Sequence, residues 1–435
     1  SCWSEGEKYL NFSAKCKMEQ FYIKEINIRK VRHLQDLRII ISSEEEDRRH
    51  LILTGNNGSG KTSLLEAIQT YLDSVSKDNE PYQSRNALML YQDALEQARK
   101  RNDQNLILQM EKNISLCEET IEKSTAGVDL EFSNETGEIK SAFDHGNFIL
   151  AYFGATRAFH SPEPKHVEKT ILKDSYGINE STRSIFLSYL LDLKMTQALA
   201  IVKKDNKKAE DIEEWFDRLQ SILRDLYDDP SLLIEFNEET FRFSLIVKDR
   251  EPFDFNTASD GFSAILDIII DLILRMQLQD KRVTEFLVPG IVLIDEIENH
   301  LHLELQKKVL SILTKLFPNI QFIVTTHSPF VLNSIDNATV YDLERHVLVE
   351  KGLSGASYSG IVEGYFRLDE LSSDLRGKLD EYRALTQKRG LDNADYMKIA
   401  LLETSLDEIP DYLDIAISTE YQKLKLEFES REDLN

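Results

Sequence analysis

Three short stretches carry side chains that could do chemistry. The run Gly55-Asn56-Asn57-Gly58-Ser59-Gly60-Lys61-Thr62-Ser63 is rich in glycine, ends in a cation and hydroxyls, and opens an apolar-periodic segment. It fits G-x-x-x-x-G-K-[ST], where glycines let the backbone wrap a polyphosphate with its N–H groups inward and the positive end of the following helix adds charge. In that role Lys61 reaches the β and γ phosphates and Thr62 holds Mg²⁺ through its hydroxyl. The stretch predicts that the chain binds a nucleoside triphosphate, read here as ATP with Mg²⁺. In the second stretch, Ile291-Val292-Leu293-Ile294 closes in Asp295-Glu296. Asp295 suits Mg²⁺ ligation, and Glu296 suits polarising an attacking water as general base. The third, Phe322-Ile323-Val324-Thr325-Thr326, ends in His327, where a γ-phosphate would lie.

These residues need a sheet to bring them together. The apolar runs before Gly55, Asp295 and Thr325 read as strands buried on both faces, and α/β sheets place ligands at the carboxyl ends of such strands. Residues 21–28 and 35–42 alternate as a β-hairpin should, and 128–132 and 148–152 read as further strands. Ser84–Lys123 is polar with apolar residues at helical spacing and a break at 101–105, which predicts an antiparallel helical hairpin with Arg99-Lys100-Arg101 near its tip. Arms of about 18 residues would reach ~27 Å. A second helical insertion spans about 165–230, jointed at Lys203-Lys204 and Lys207-Lys208, and the strands 231–236 and 240–247 return the chain to the core. Thr257–Ser263 opens the apolar helix Ala264–Met276. Ser259 or Asp260 there is either a plain N-cap or part of a phosphate receptor.

The segments divide as follows: an extension at 1–17, with Met18 a candidate natural start; a first lobe, 18–82; the hairpin, 83–125; core strands, 126–164; the second insertion, 165–230; a second lobe, 231–350; and a helical region, 351–435. The formal charge of −24 would repel a phosphate backbone, so nucleic acid would need a local basic patch. Three cysteines without a C-x-x-C pair suggest a reducing cytoplasm. Ala264–Met276 is interrupted by Asp267 and Asp271 and is too short to span a bilayer, so no membrane is expected.

Taken in order, GNNGSGKT, SDG at a helix start, LIDEIENHLH and TTHSPFVL resemble the ABC-type ATPases of the SMC/RecF/OLD-like branch. The resemblance covers about residues 18–350. It implies an α/β fold: an ABC-type P-loop ATPase head, with a mixed central sheet and flanking helices, helical coiled-coil insertions and a helical C-terminal tail. It also implies that Glu296 and His327 are catalytic, that Asp295 joins Thr62 on the metal, and that Arg32 approaches nucleotide. Ser259 and Gly261 would complete the nucleotide site of the opposite subunit in a homodimer. The signature departs from the common LSGGQ form at Asp260 and Phe262, which implies slow or conditional hydrolysis. No glutamine stands near Arg157, where a Q-loop is expected, and His300 and His302 fit a structural or dimer-loop role better than zinc.

After His327 there is no Asp-x-Asp metal pair of the TOPRIM type and no HNH-like cluster, so no nuclease centre is expected in these residues. The pattern resembles stand-alone ATPase subunits of bacterial anti-phage defence systems, of the Septu/retron or PARIS type. Such a subunit implies a separate effector nuclease of HNH or TOPRIM type, a phage-encoded trigger, and self-assembly as a dimer or higher oligomer. The alternative is a RecF- or SMC-like ATPase that binds DNA directly in repair or recombination.

Overall fold

The structure is a computed structural model that describes residues 21–42, 48–77, 80–134, 137–248, 250–277, 286–349, 371–388, 391–407, 421, 424, 425 and 428. The proposed extension at 1–17 lies outside them. Two compact units emerge, 1–352 and 353–435.

In the first unit, β1 (Ile23–Val31) and β2 (Leu34–Ile40) form the expected hairpin, and β3 (His50–Thr54) leads into the glycine-rich loop. The further strands are β4 (Val128–Phe132), β5 (Ile149–Phe153), β6 (Leu233–Asn237), β7 (Arg242–Ile246), β8 (Gly290–Ile294), β9 (Ile320–Thr325), β10 (Ala338–Asp342) and β11 (Val347–Val349). A three-stranded antiparallel sheet runs β2-β1-β4, and a six-stranded sheet runs β11-β10-β3-β9-β8-β5. The larger sheet is parallel except for β11, which returns antiparallel to β10. β3, β8, β9 and β10 are buried along their whole lengths, which explains why they read as unbroken apolar runs.

The helix Lys61–Lys77 carries Leu64, Leu65, Ile68, Leu72 and Val75 at helical spacing and turns them into a core shared with Ile26, Leu53, Val128 and Ile323. That core fixes the loop from behind. His50, at the start of β3, is buried, and its Nδ1 accepts the backbone N–H of Phe322 at 3.1 Å. Burial pushes its pKa down to about 3. Because the folded value lies below the ordinary 6.5, only the unfolded chain gains a proton between those limits. Stability should therefore fall as pH drops from 6.5 towards 3, with a slope approaching ~1.4 kcal/mol per pH unit. Urea unfolding at pH 7.5 and 5 measures it, and His50→Gln should flatten the dependence.

The first helical hairpin spans Glu80–Arg101 and Gln104–Thr125, so its arms of 22 residues are longer than the sequence pattern suggests. Asp103 caps the second arm by accepting the Leu106 N–H, and Arg99 pairs with Glu111 across the turn. The second insertion is helical only over Phe186–Val202 and Asn206–Tyr227. Apart from the turn Arg183–Ile185, the stretch from Gly154 to Thr182 is irregular, where a helical start near 165 was expected. β6 and β7 also depart from expectation, since they pair as a separate two-stranded sheet instead of rejoining the core.

Arg183–Val202 is, by length and composition, apolar enough to cross a bilayer. In the fold its Phe186, Leu190 and Leu193 are buried, and Tyr189 packs edge-on to Trp215. Asp267 and Asp271 also lie inside the fold, paired with Arg183 and Arg275.

In the second unit, the helices Leu371–Gln387 and Asn393–Asp407 bury Leu379, Tyr382, Ile399, Leu402 and Leu406 together with Tyr421 and Leu424. Leu401 of the second helix is exposed.

Candidate functional site

The parallel sheet brings the three chemical stretches to one edge, because β3, β9 and β8 are neighbours in register and each ends in one of them. Gly55, Gly58 and Gly60 all hold positive φ (135°, 84° and 95°), which explains the loop's glycine spacing. Lys61 is buried, and its Nζ donates to the carbonyls of Gly55 and Asn56 at 2.8 and 3.0 Å, tying the loop to its own mouth. Burial lowers its pKa against the pull of Glu298, Glu296, Asp295 and Asp342. The Ser59 hydroxyl is buried without a hydrogen-bond partner. Asn56, Asn57 and Gly58 lie exposed on the loop, and Ser63 is half-buried in the first turn of the helix.

Thr62 Oγ1 sits 3.0 and 3.2 Å from the two carboxylate oxygens of Asp295. Thr325 Oγ1 donates to Asp295 at 2.6 Å and also accepts the Glu296 N–H at 2.7 Å. The last hydroxyl of β9 thus orients both acids that follow β8. A hydroxyl and a carboxylate converging this way form a hard oxygen donor set that fits Mg²⁺. Glu296 itself has φ of 44°, a left-handed turn two residues past the end of β8.

His327 lies beside Lys61. Burial chiefly, and the Lys61 charge next, lower its pKa, while Asp295 opposes them; the ring is therefore neutral near pH 7, able to donate from one nitrogen and accept at the other.

Glu298 escaped the sequence reading. Its carboxylate accepts the His327 N–H at 2.5 Å and the Thr326 hydroxyl at 2.8 Å, latching the end of β9 to the turn after β8. Burial raises its pKa against those bonds. The available signal was an acid two residues beyond Glu296, in the run ENHLH.

Arg157 also gains a place. Its Nη1 donates to the carbonyls of Gly154 and Asp295 at 2.7 and 2.5 Å, and its Nη2 to those of Glu296 and Ile297 at 2.8 and 3.3 Å.

Ser259 occupies the N-cap position of the helix Asp260–Met276 but makes no side-chain cap bond. It is exposed, and the side chain of Asp260 lies outside the described part. Gly261 packs so closely that a Cβ would meet the His300 carbonyl at 2.8 Å and His302 Cδ2 at 3.7 Å. The HLH turn is therefore the platform of the Ser259–Gly261 turn. Among the described residues no cluster of three or more metal-ligating side chains forms. Phe262, the departure from the usual signature, stacks on Tyr227 with ring centroids 4.2 Å apart and planes 8° from parallel.

Arg32 forms the exposed β1–β2 turn with φ of 53°. Its neighbours His33 and Leu34 press on Gly60 and line a groove of about 360 Å³ with Asn56, Gly58 and Glu344. Arg32 itself does not line it.

Residues 131–333 match the family model described as "AAA domain, putative AbiEii toxin, Type IV TA system". The Escherichia coli protein named "Retron Ec83 probable ATPase" is 34% identical over 183 residues, covering 40% of this chain and 32% of that protein. "Septu protein PtuA" of Bacillus mycoides (strain KBAB4) is 24% identical over 95% of this chain and 55% of its own length. The chain is similar to proteins named as retron probable ATPases and as Septu protein PtuA. "Retron Vc95 probable ATPase" of Vibrio cholerae serotype O1 biovar El Tor adds 24% identity, over 66% of this chain and 68% of its own. The chain thus spans about a third to two thirds of the length of these relatives. Among solved structures, the "SMC head domain from Thermotoga maritima" covers 74% of this chain and 94% of itself at 12% identity and a TM-score of 0.33, too distant to carry function.

Proposed function

We propose that the chain binds and hydrolyses ATP as the ATPase subunit of a bacterial anti-phage defence system. The observation that carries this reading is the convergence of the Thr62 hydroxyl on the Asp295 carboxylate, at 3.0 and 3.2 Å, beside a buried Lys61. It is supported by the relatives' names and by the ATPase-type domain matched.

In this reading Lys61 and the loop N–H groups of Gly58–Ser63 hold the β and γ phosphates, and the unpartnered Ser59 hydroxyl gains an acceptor. Mg²⁺, held by Thr62 and Asp295, would supply charge neutralisation at the phosphate oxygens. Glu296 takes a proton from the attacking water as its oxygen bonds to the γ-phosphorus. The bond to the β-phosphate oxygen breaks and ADP leaves with that electron pair. His327 donates a hydrogen bond to the γ-phosphoryl oxygens.

Ser259, exposed at the start of a long helix without a side-chain cap bond, and Gly261, buried beneath it against His300, would close the site of a second copy, so that two ATPs are sandwiched in a homodimer. Hydrolysis would then be slow or conditional. The dimer, or a larger assembly of it, would scaffold and regulate a separate effector nuclease of HNH or TOPRIM type, released by a phage-encoded trigger in the cytoplasm.

Ser259→Arg provides the test. It should leave ATP binding within about threefold while preventing nucleotide-dependent dimerisation, because a long cation replaces a small side chain at the apposed surface. Light scattering with a slowly hydrolysed ATP analogue measures the mass. A variant that still dimerises sinks the composite site. Gel shifts across salt separate the reading from a DNA clamp, since direct phosphate contacts would give a steep salt slope.

A further inference from the structure

Arg157 is 4% exposed, and none of its hydrogen bonds goes to a carboxylate. Burying a cation is costly unless its donors are satisfied; Nε is buried without a partner, so the two Nη groups offset the cost, and what they satisfy says what the guanidinium is for. Its acceptors are the carbonyl of Gly154, after β5, and three consecutive carbonyls, those of Asp295, Glu296 and Ile297. Three successive carbonyl dipoles aimed at one point repel each other, and a regular strand would alternate them. They converge here because Glu296 adopts a left-handed φ of 44°, which an L residue with a long side chain does not adopt cheaply. The planar fork of Arg157 neutralises that convergence, while the Thr325 hydroxyl takes the Glu296 N–H from the other side. Burial lowers the Arg157 pKa, and Glu298, Asp267, Asp295 and Glu296 offset it, so the group stays a cation among acids.

We propose that Arg157 is a positioning residue for Glu296. It makes no hydrogen bond to the glycine-rich loop and reaches Asp295 only through that residue's backbone carbonyl, but it holds the backbone turn that sets where the Glu296 carboxylate points. The inference rests on the reading of Glu296 as general base. It also follows that lysine cannot substitute, because a single ammonium cannot span carbonyls on both sides of the turn.

The test is a kinetic split on the full chain with Mg-ATP. Arg157→Lys keeps the charge and most of the packing. It should bind a fluorescent ATP analogue within about threefold of wild type while kcat falls by ~10²-fold, the usual consequence of displacing a catalytic group by about 1 Å. Since the residue acts through Glu296, Arg157→Lys combined with Glu296→Gln should turn over no more slowly than Glu296→Gln alone. Arg157→Ala should show the same pattern more strongly. If it does not fold, as judged by circular dichroism, the lysine variant decides. A lysine variant with wild-type kcat, a loss of binding that matches the loss of kcat, or an additive double variant overturns the inference. A Glu296→Gln protein that hydrolyses like wild type overturns the catalytic reading and this inference with it. An inactive Glu296→Gln beside a fully active Arg157→Lys overturns the positioning role alone.

Discussion

Lys61→Ala is expected to abolish ATP binding. Lys61 is the buried cation of the loop, and its ammonium already spans the carbonyls of Gly55 and Asn56. Removing it deletes a charge-assisted contact to the phosphates and the tie that holds the loop mouth. Two or three such interactions at about 1.5–3 kcal/mol each amount to a loss in affinity of ~10²-fold at the least and far more at the upper end. The fold should survive, since burial already disfavours the charge and its loss relieves that cost. Calorimetric titration with Mg-ATP measures the binding and thermal unfolding the stability. Retained affinity would remove the basis for every later step.

Glu296→Gln should leave binding intact and cut turnover by ~10²–10⁴-fold, the range attributed to a general base. Glutamine has the same size, and the Arg157 and Thr325 bonds reach only the backbone of this residue, so the left-handed turn should persist. With the proton acceptor gone, ATP-bound dimers should accumulate and be visible as a stable doubled mass in light scattering. Single-turnover hydrolysis at the wild-type rate would show that another group takes the proton. Glu298 is then the nearest candidate, two residues on and bonded to the His327 backbone.

The legible parts of this molecule were the local ones. β3, β8 and β9 are buried on both faces and so stand out as apolar runs, and each ends in the residues that do the chemistry. The glycine spacing was legible because three positive φ values must fall within a few positions. What stayed hidden depends on pairings that no window of sequence contains. Arg157 and Asp295 are 138 residues apart, and an arginine after a strand looks like any other until the turn it grips is known. Glu298 stands two residues beyond Glu296, and its partners, His327 and Thr326, are 29 and 28 residues away in sequence. β6 and β7 alternated clearly enough to be found, yet alternation says nothing about which sheet a strand joins, and these two joined none but their own.

The face-to-face contact of Tyr227 with Phe262 has a mechanical consequence. Tyr227 is the last residue of the insertion helix, and Phe262 lies in the first turn of the helix that begins at Asp260. Asp228, one residue on, pairs with Lys308, and the Ser259–Gly261 turn rests on His300. The insertion, the exposed serine and the segment behind Glu296 are therefore geared together. If the insertion helix swings, either two stacked rings must slip or the serine must travel with them.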